Sequence, residues 1–202
     1  MTASAESTAA SNAEKVFDLP YTLEALIKDG LIDRDDSDRV LALPRPRELA
    51  HQHPLEHVAR VELTDRRNPS QMLDLDVLTH WLADYCGQPY FRIDPLKVDV
   101  TSITDVMSYA FAQNHNILAV EVMPNEVVIA SSQPFVAKWE EDLRHVVRKD
   151  IRRVVVSPAD LHRYMVEFYT LSRSVSKAKG GGAGQTLTGV TNMEQLLQLG
   201  DQ

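Results

Sequence analysis

Apolar positions come at helical spacing in some stretches of this chain and as short continuous runs in others. Leu23, Leu26 and Ile27 stand at i, i+3 and i+4, so Tyr21 to Lys28 is predicted as a short helix. Gly30 is its natural stop. Asp33 is placed to cap a second helix through Val40 and Leu41, which Pro44 and Pro46 end. Leu49 to Arg60 has weak helical character, and Asp65 to Ser70 reads as a polar loop.

The pattern sharpens after Leu73. Leu75, Leu78, Leu82 and Tyr85 share one face of a helix from Asp74 to Tyr85, with Pro89 at its exit. Tyr90 to Ile93 is a short extended segment, and Asp99 or Thr101 caps a helix through about Gln113. Ile117 to Met123 and Glu126 to Ser131 are apolar strands, and Pro124-Asn125 between them is a tight hairpin signal. Phe135 to Arg148 is helical, with Trp139 and Leu143 on its apolar stripe. Ile151 to Val156 is a β-branched strand, and Ser157-Pro158 opens a last helix through Tyr169. The predicted class is α/β in the α+β sense, a small mixed sheet flanked by helices and preceded by a small helical region. Four regions are expected: a tail over 1–18, a helical or irregular subdomain over 19–72, the α/β unit over 73–170, and a linker over 171–202. Gly180-Gly181-Gly182-Ala183-Gly184 makes that linker flexible, and Met193 to Leu199 after it begins a leucine-bearing segment that points to a further domain.

Composition narrows the functional classes. The 202 residues are 44% hydrophobic and 25% charged, ordinary values for a globular chain. No run reaches the ~18 apolar residues of a membrane span. Met1 to Asn12 lacks the charged and apolar regions of a signal peptide and reads as a cytoplasmic tail. A formal net charge of -8 argues against binding a nucleic-acid polymer. Cys86 is the single cysteine, so no internal disulfide is available; a small buried hydrophobe is its expected role.

Tests for chemistry return little. A phosphate loop needs Gly, four residues, Gly, Lys, then Ser or Thr. Here Gly184 is followed by Gln185 and Thr186, so no Walker A motif is present and no catalytic residues are assigned. His51, His53 and His57 are spaced for zinc, but Pro54 intervenes and no cysteine completes a site, so solvated histidines are the better reading. Asp35, Asp36 and Asp38 lack the Gly and terminal Glu of a calcium loop and read as a solvated capping turn. No metal site is expected. Arg144, Arg148, Lys149, Arg152 and Arg153 concentrate positive charge on an acidic chain. They are the candidate partner-docking residues, against the plainer reading of a helix end complementing its dipole.

One ordered series of motifs remains. Leu82-Ala83-Asp84, Pro89-Tyr90, Asp94-Pro95-Leu96, Ala110, His115, Ile117-Leu118, Val128-Ile129-Ala130, Pro134-Phe135, Leu143, Val154 to Ser157, Asp160-Leu161 and Tyr169 follow one another between Asp74 and Tyr169. In order and spacing they resemble the N-terminal domain of the ATPases of type II secretion and type IV pilus assembly. Thr191 to Gly200 is similar to the lead into the family's second N-terminal domain. The resemblance implies a non-catalytic cytoplasmic adaptor that docks a hexameric motor to the cytoplasmic domain of an inner-membrane platform protein. ATP and Mg would belong to the motor domain, and this segment would be a monomer or weak dimer. A branch of the family binds cyclic di-GMP through tandem helical motifs. Leu26, Ile27, Gly30 and Ile32 fit the first of these, while Tyr21, Leu23 and Pro44 depart at its Arg, Gly and Gln. The second motif is not recognisable before Tyr85. Cyclic di-GMP sensing is therefore the alternative, and a plain core role for Leu26, Ile27 and Ile32 the stronger reading.

Overall fold

Residues 16–44 and 52–180 are described by the computed structural model of this chain, with side chains through residue 178. The first helix, α1 (Leu19–Lys28), is capped by Asp18, whose carboxylate accepts from Tyr21 N–H at 2.9 Å. It ends in a Schellman turn. Leu31 N–H donates to Leu26 O and Gly30 N–H to Ile27 O, both at 3.0 Å, with Gly30 at φ 76°. α2 (Arg34–Ala42) opens with a capping box in which Asp33 and Asp36 each accept the other's backbone N–H. α3 (Pro54–Ala59) has Pro at its first position.

A two-stranded antiparallel hairpin follows, β1 (Thr64–Asp65) and β2 (Asn68–Met72), where the sequence suggested only a polar loop. Every residue of β2 is exposed, so no apolar alternation marks it as a strand. The Asp65 carboxylate holds the turn instead, accepting from Arg67 N–H at 2.8 Å and from the Arg67 guanidinium at 3.0 Å. Helix α4 (Leu75–Cys86) is capped by Asp74 and stopped by Gly87 in the left-handed region.

The single helix expected to run to Gln113 is two. α5 (Val100–Val106) is capped by Asp99, and α6 (Tyr109–His115) by Ser108, whose hydroxyl accepts from Phe111 N–H at 3.1 Å. Met107 between them is extended, at φ -151° and ψ 159°, because Ser108 restarts the helix with its own cap. Strands β3 (Ile117–Val122) and β4 (Glu126–Ser131) pair antiparallel, α7 (Lys138–Val147) crosses over, and β5 (Asp150–Val155) pairs parallel to β4. The sheet order is β3-β4-β5, the small mixed sheet expected, and Tyr90 adds a parallel bridge beside Val155. The last helix, α8 (Pro158–Gly180), continues well past Tyr169, so residues 171–180 are helical rather than extended linker.

Two apolar cores result. One lies among β3, β4, β5, α7 and α8, around Trp139, Phe168 and Ile129. The other gathers α1, α2, α3 and α4 around Phe17, Leu26, Leu55 and Leu78. Helix α4 joins the second core through Leu78, Trp81 and Leu82, although the motif series begins within it; β5 contributes Val155 from the far side. Among the described residues no helix is long and apolar enough to cross a membrane.

The two cores meet along the segment after β4. Phe17 N–H donates to Gln133 Oε1 at 2.8 Å, and Gln133 Nε2 returns a bond to Phe17 O at 3.3 Å. Gln88 Nε2 donates to Pro134 O at 3.1 Å. Phe135 inserts its ring between Phe17, Tyr21 and Tyr85, with centroids 6.1–6.3 Å apart. Two histidines read as solvated are buried, and His53 serves the same junction. His53 and His57 are 8% and 1% exposed. The Ser132 carbonyl can only accept, so His53 Nε2 carries the proton and donates to it at 2.9 Å, while His53 Nδ1 accepts from Leu55 N–H at 3.2 Å. His57 Nε2 lies 3.2 Å from Val40 O. His51 lies outside the described residues, and among those described no group of metal-ligating side chains comes together.

Candidate docking surface

The five cations singled out in the sequence do not form one patch. Consecutive residues of a strand point to opposite faces, which separates Arg152 from Arg153 on β5. Arg153 turns inward. Its guanidinium donates to Pro134 O, to Val136 O at 3.2 Å, and lies over the Trp139 ring at 5.6 Å. Its side chain is 19% exposed, and burial holds its pKa below the ordinary guanidinium value. Arg152 is enclosed by two carboxylates, Glu126 at 2.9 Å and Glu121 at 3.3 Å.

Arg144, Arg148 and Lys149 do come together. With Asn125 and Asp150 they line an open concavity of about 490 Å³. It lies where the β3–β4 turn meets the end of α7, fastened by Lys149 Nζ donating to Met123 O at 2.7 Å and Asp150 N–H to Asn125 O at 2.9 Å. Arg144 is paired with Glu140 one helical turn earlier, at 2.7 Å. Arg148 is not a helical residue sharing a face with Arg144, as its spacing suggested. It is the C-cap of α7, in the left-handed region at φ 55° and ψ 34°. Its side chain is exposed and has no ion pair among the described residues.

The nucleotide-motif positions are structural. Leu26 and Ile32 are 0% and 2% exposed, Ile27 is partly buried, and Gly30 is the left-handed turn residue after α1. Tyr21, at the position of the motif's arginine, packs its ring edge-on to Phe17 and hydrogen-bonds Tyr85 through the two hydroxyls at 3.0 Å. Beside it opens a polar cleft of about 500 Å³ lined by Asp29, Asp65, Asp76 and Asp84, with Trp81 at its wall. Arg67, its one arginine, is spent on Asp65, whose carboxyl it holds below the usual range. Sequence reasoning missed this cleft because its carboxylates come from α1, the hairpin and α4, far apart in the chain. Asp36, read as solvated, is 9% exposed. Burial alone would raise its pKa, but the Arg66 guanidinium at 2.8 Å brings it below the ordinary value. Cys86 is half-buried at the end of α4, and burial pushes its thiol up.

Residues 86–175 match the MshEN domain family. Over 185 residues the chain is 40% identical to the type IV pilus assembly ATPase TfpB of Acinetobacter baylyi, an alignment covering 91% of this chain. The chain carries an N-terminal domain of the type II secretion and type IV pilus assembly ATPase family. It spans 31% of the length of TfpB. The MshEN match begins at the end of α4 and runs into the last turns of α8, so it contains the basic concavity and leaves Leu26 to Ile32 outside. A structure of MshE with cdg has the same fold, at a TM-score of 0.50 and 14% identity, over 73% of this chain and 98% of that one. The N-terminal domain of XpsE aligns at a TM-score of 0.44 and 16% identity, over 71% and 90% of the two chains.

Proposed function

We propose that this MshEN domain is an adaptor that docks a secretion or pilus motor to the cytoplasmic domain of an inner-membrane platform protein. The observation that carries the reading is the form of α8. Its first half is core, with Leu161, Met165 and Phe168 buried; Ser172 and Arg173 still meet Thr104 and Tyr109, and beyond them the helix runs out of the α/β unit with Val175 exposed. A head so fused to a helical stem transmits position and force to whatever follows it in the chain. In this reading ATP and Mg are bound by a motor domain, the motor is a homohexamer, and the adaptor is a monomer or weak dimer. It works in the cytoplasm, at the inner membrane through its partner. Titrating the chain with the platform protein's cytoplasmic domain tests this. Micromolar or tighter binding is expected, and no binding in either the isolated domain or the motor-bearing protein overturns it.

A second reading, cyclic di-GMP sensing, is favoured by the likeness to the MshE structure with cdg. Tyr21 in place of an arginine removes the guanidinium that would meet guanine or phosphate. The neighbouring cleft, with four aspartates and one already paired arginine, repels phosphate. We therefore expect calorimetry with cyclic di-GMP to give no heat. Micromolar binding would make the domain a sensor working through other residues.

A further inference from the structure

We infer that the tip made by the β3–β4 turn and the end of α7, centred on Arg148 and Lys149, is the surface that takes an acidic segment of the partner protein. This rests on the docking reading above and assigns it a place and a chemistry.

Three observations support the tip. The first is the uneven compensation of charge. Arg152, Arg153 and Arg144 are each closed off by carboxylates or carbonyls of this chain. Among the described residues the Arg148 guanidinium has no hydrogen-bond or ion-pair partner, and Lys149 Nζ reaches a backbone carbonyl, that of Met123. On a chain of net charge -8, these two cations form no ion pair among the described residues, although Asp150 lines the same concavity.

The second is the conformation of Arg148. Among the described residues three helices end in a left-handed C-cap, at Gly87, Asn116 and Arg148. Glycine and asparagine are the residues that tolerate this region; arginine is not among them. A cation in the last turn would complement the helix dipole without that cost, as Arg144 already does. A long cationic side chain at a strained position, without a partner among the described residues, is an outlier of the kind that marks function.

The third is shape and surroundings. The lining offers Asn125, whose amide suits a peptide backbone, and one carboxylate, Asp150, among three cations. Met123 on the turn is 36% exposed and Val146 on α7 is 75% exposed, so both elements that form the tip also expose an apolar side chain. A concave surface with its own carboxylate fits a single acidic peptide better than a continuous anionic membrane. The chain's overall negative charge also repels such a membrane, whereas a peptide senses only the charges within a Debye length.

The test uses the full chain and the cytoplasmic domain of the platform protein, with affinity measured at about 50 and about 300 mM salt. Four forms are compared: wild type, Arg148→Gly, Arg148→Glu with Lys149→Glu, and Arg152→Gln. Wild-type binding should weaken with salt. The double reversal should weaken it at least about tenfold, and Arg152→Gln should leave it within about twofold. Arg148→Gly should weaken binding while its melting temperature does not fall, an uncoupling that a purely structural arginine would not give. Wild-type binding that the folded double variant retains overturns this surface and leaves the adaptor reading standing. No wild-type binding, in this chain and in the motor-bearing protein alike, overturns both. Equal binding to vesicles of phosphatidylglycerol, lost in the double variant, would replace the acidic segment by a membrane and overturn the assignment of the partner.

Discussion

Gln133 holds Phe17 at both of its backbone groups, accepting from the N–H at 2.8 Å and donating to the carbonyl at 3.3 Å. These residues are far apart in sequence, Phe17 in the second core and Gln133 just after β4, so this one amide ties the start of the described residues to the α/β unit. Phe17 is fully buried. Replacing Gln133 by Leu leaves two backbone groups of Phe17 without partners and should cost about 2 kcal/mol. Urea unfolding would report the loss, and hydrogen exchange should show the Phe17 amide opening before the sheet does. Unchanged protection at Phe17 would mean that the apolar contacts of its ring suffice.

His53 makes the junction sensitive to acid. Burial pushes its imidazole down to about 4, against an ordinary value of 6.5, although the bond to the Ser132 carbonyl opposes the shift. The folded state therefore excludes a proton that the unfolded chain accepts. The stabilisation is complete above about pH 6.5, falls as pH drops through the window from 6.5 to 4, and levels off below that. The span is about 3 kcal/mol at most. Protonation would also take Nδ1 from the Leu55 N–H it serves. Urea midpoints at pH 7, 5.5 and 4.5 should decline in the wild type and decline less in His53→Gln. Asp36 and Asp65, held below the ordinary carboxylate value, lose their contribution only at lower pH, so the two effects separate.

Much of this was legible in the sequence, and the exceptions share a cause. The strands β3, β4 and β5, the helices α1, α2 and α4, and the caps at Asp33 and Asp99 follow from local spacing and side-chain chemistry. The hairpin of β1 and β2 did not show, because its strands are solvated and its turn is held by one aspartate. The break at Met107 lies inside a continuous helical pattern, and only the hydroxyl of Ser108 marks it. Burial of His53 and His57, and the inward turn of Arg153, depend on segments that meet only in the fold. Charge clustering along the chain named five cations where geometry assembles three.

Gly30 and Arg148 make opposed predictions from the same backbone region. Gly30 sits at φ 76°, where an added Cβ would meet nothing nearer than 3.9 Å, so Gly30→Ala should cost only the backbone term, about 1 kcal/mol. Arg148→Gly relieves that term at φ 55° and should raise stability by about 0.5 kcal/mol, net of the added chain entropy in the unfolded state. Melting curves of the two variants against wild type should move in opposite directions. A fall for Arg148→Gly would show that its side chain stabilises the fold.

Arg153 and Arg148 should behave as different kinds of residue, although both belong to the same run of basic positions. Arg153 serves the Pro134 and Val136 carbonyls from a mostly buried position and covers Trp139, itself fully buried. Pro134 O keeps the Gln88 amide and Val136 O keeps the Trp139 indole N–H, so removing Arg153 costs each carbonyl one of two donors and uncovers Trp139; Arg153→Ala should destabilise by about 1–3 kcal/mol. Lysine cannot fork between two carbonyls and should rescue less than half of that. Arg148→Ala, at an exposed position without a partner among the described residues, should stay within about 0.5 kcal/mol. Chemical denaturation of the three variants decides the matter. Near-equal losses at the two positions would mean that Arg148 has a structural role its exposure hides, and would remove the ground for treating it as the residue kept for a partner.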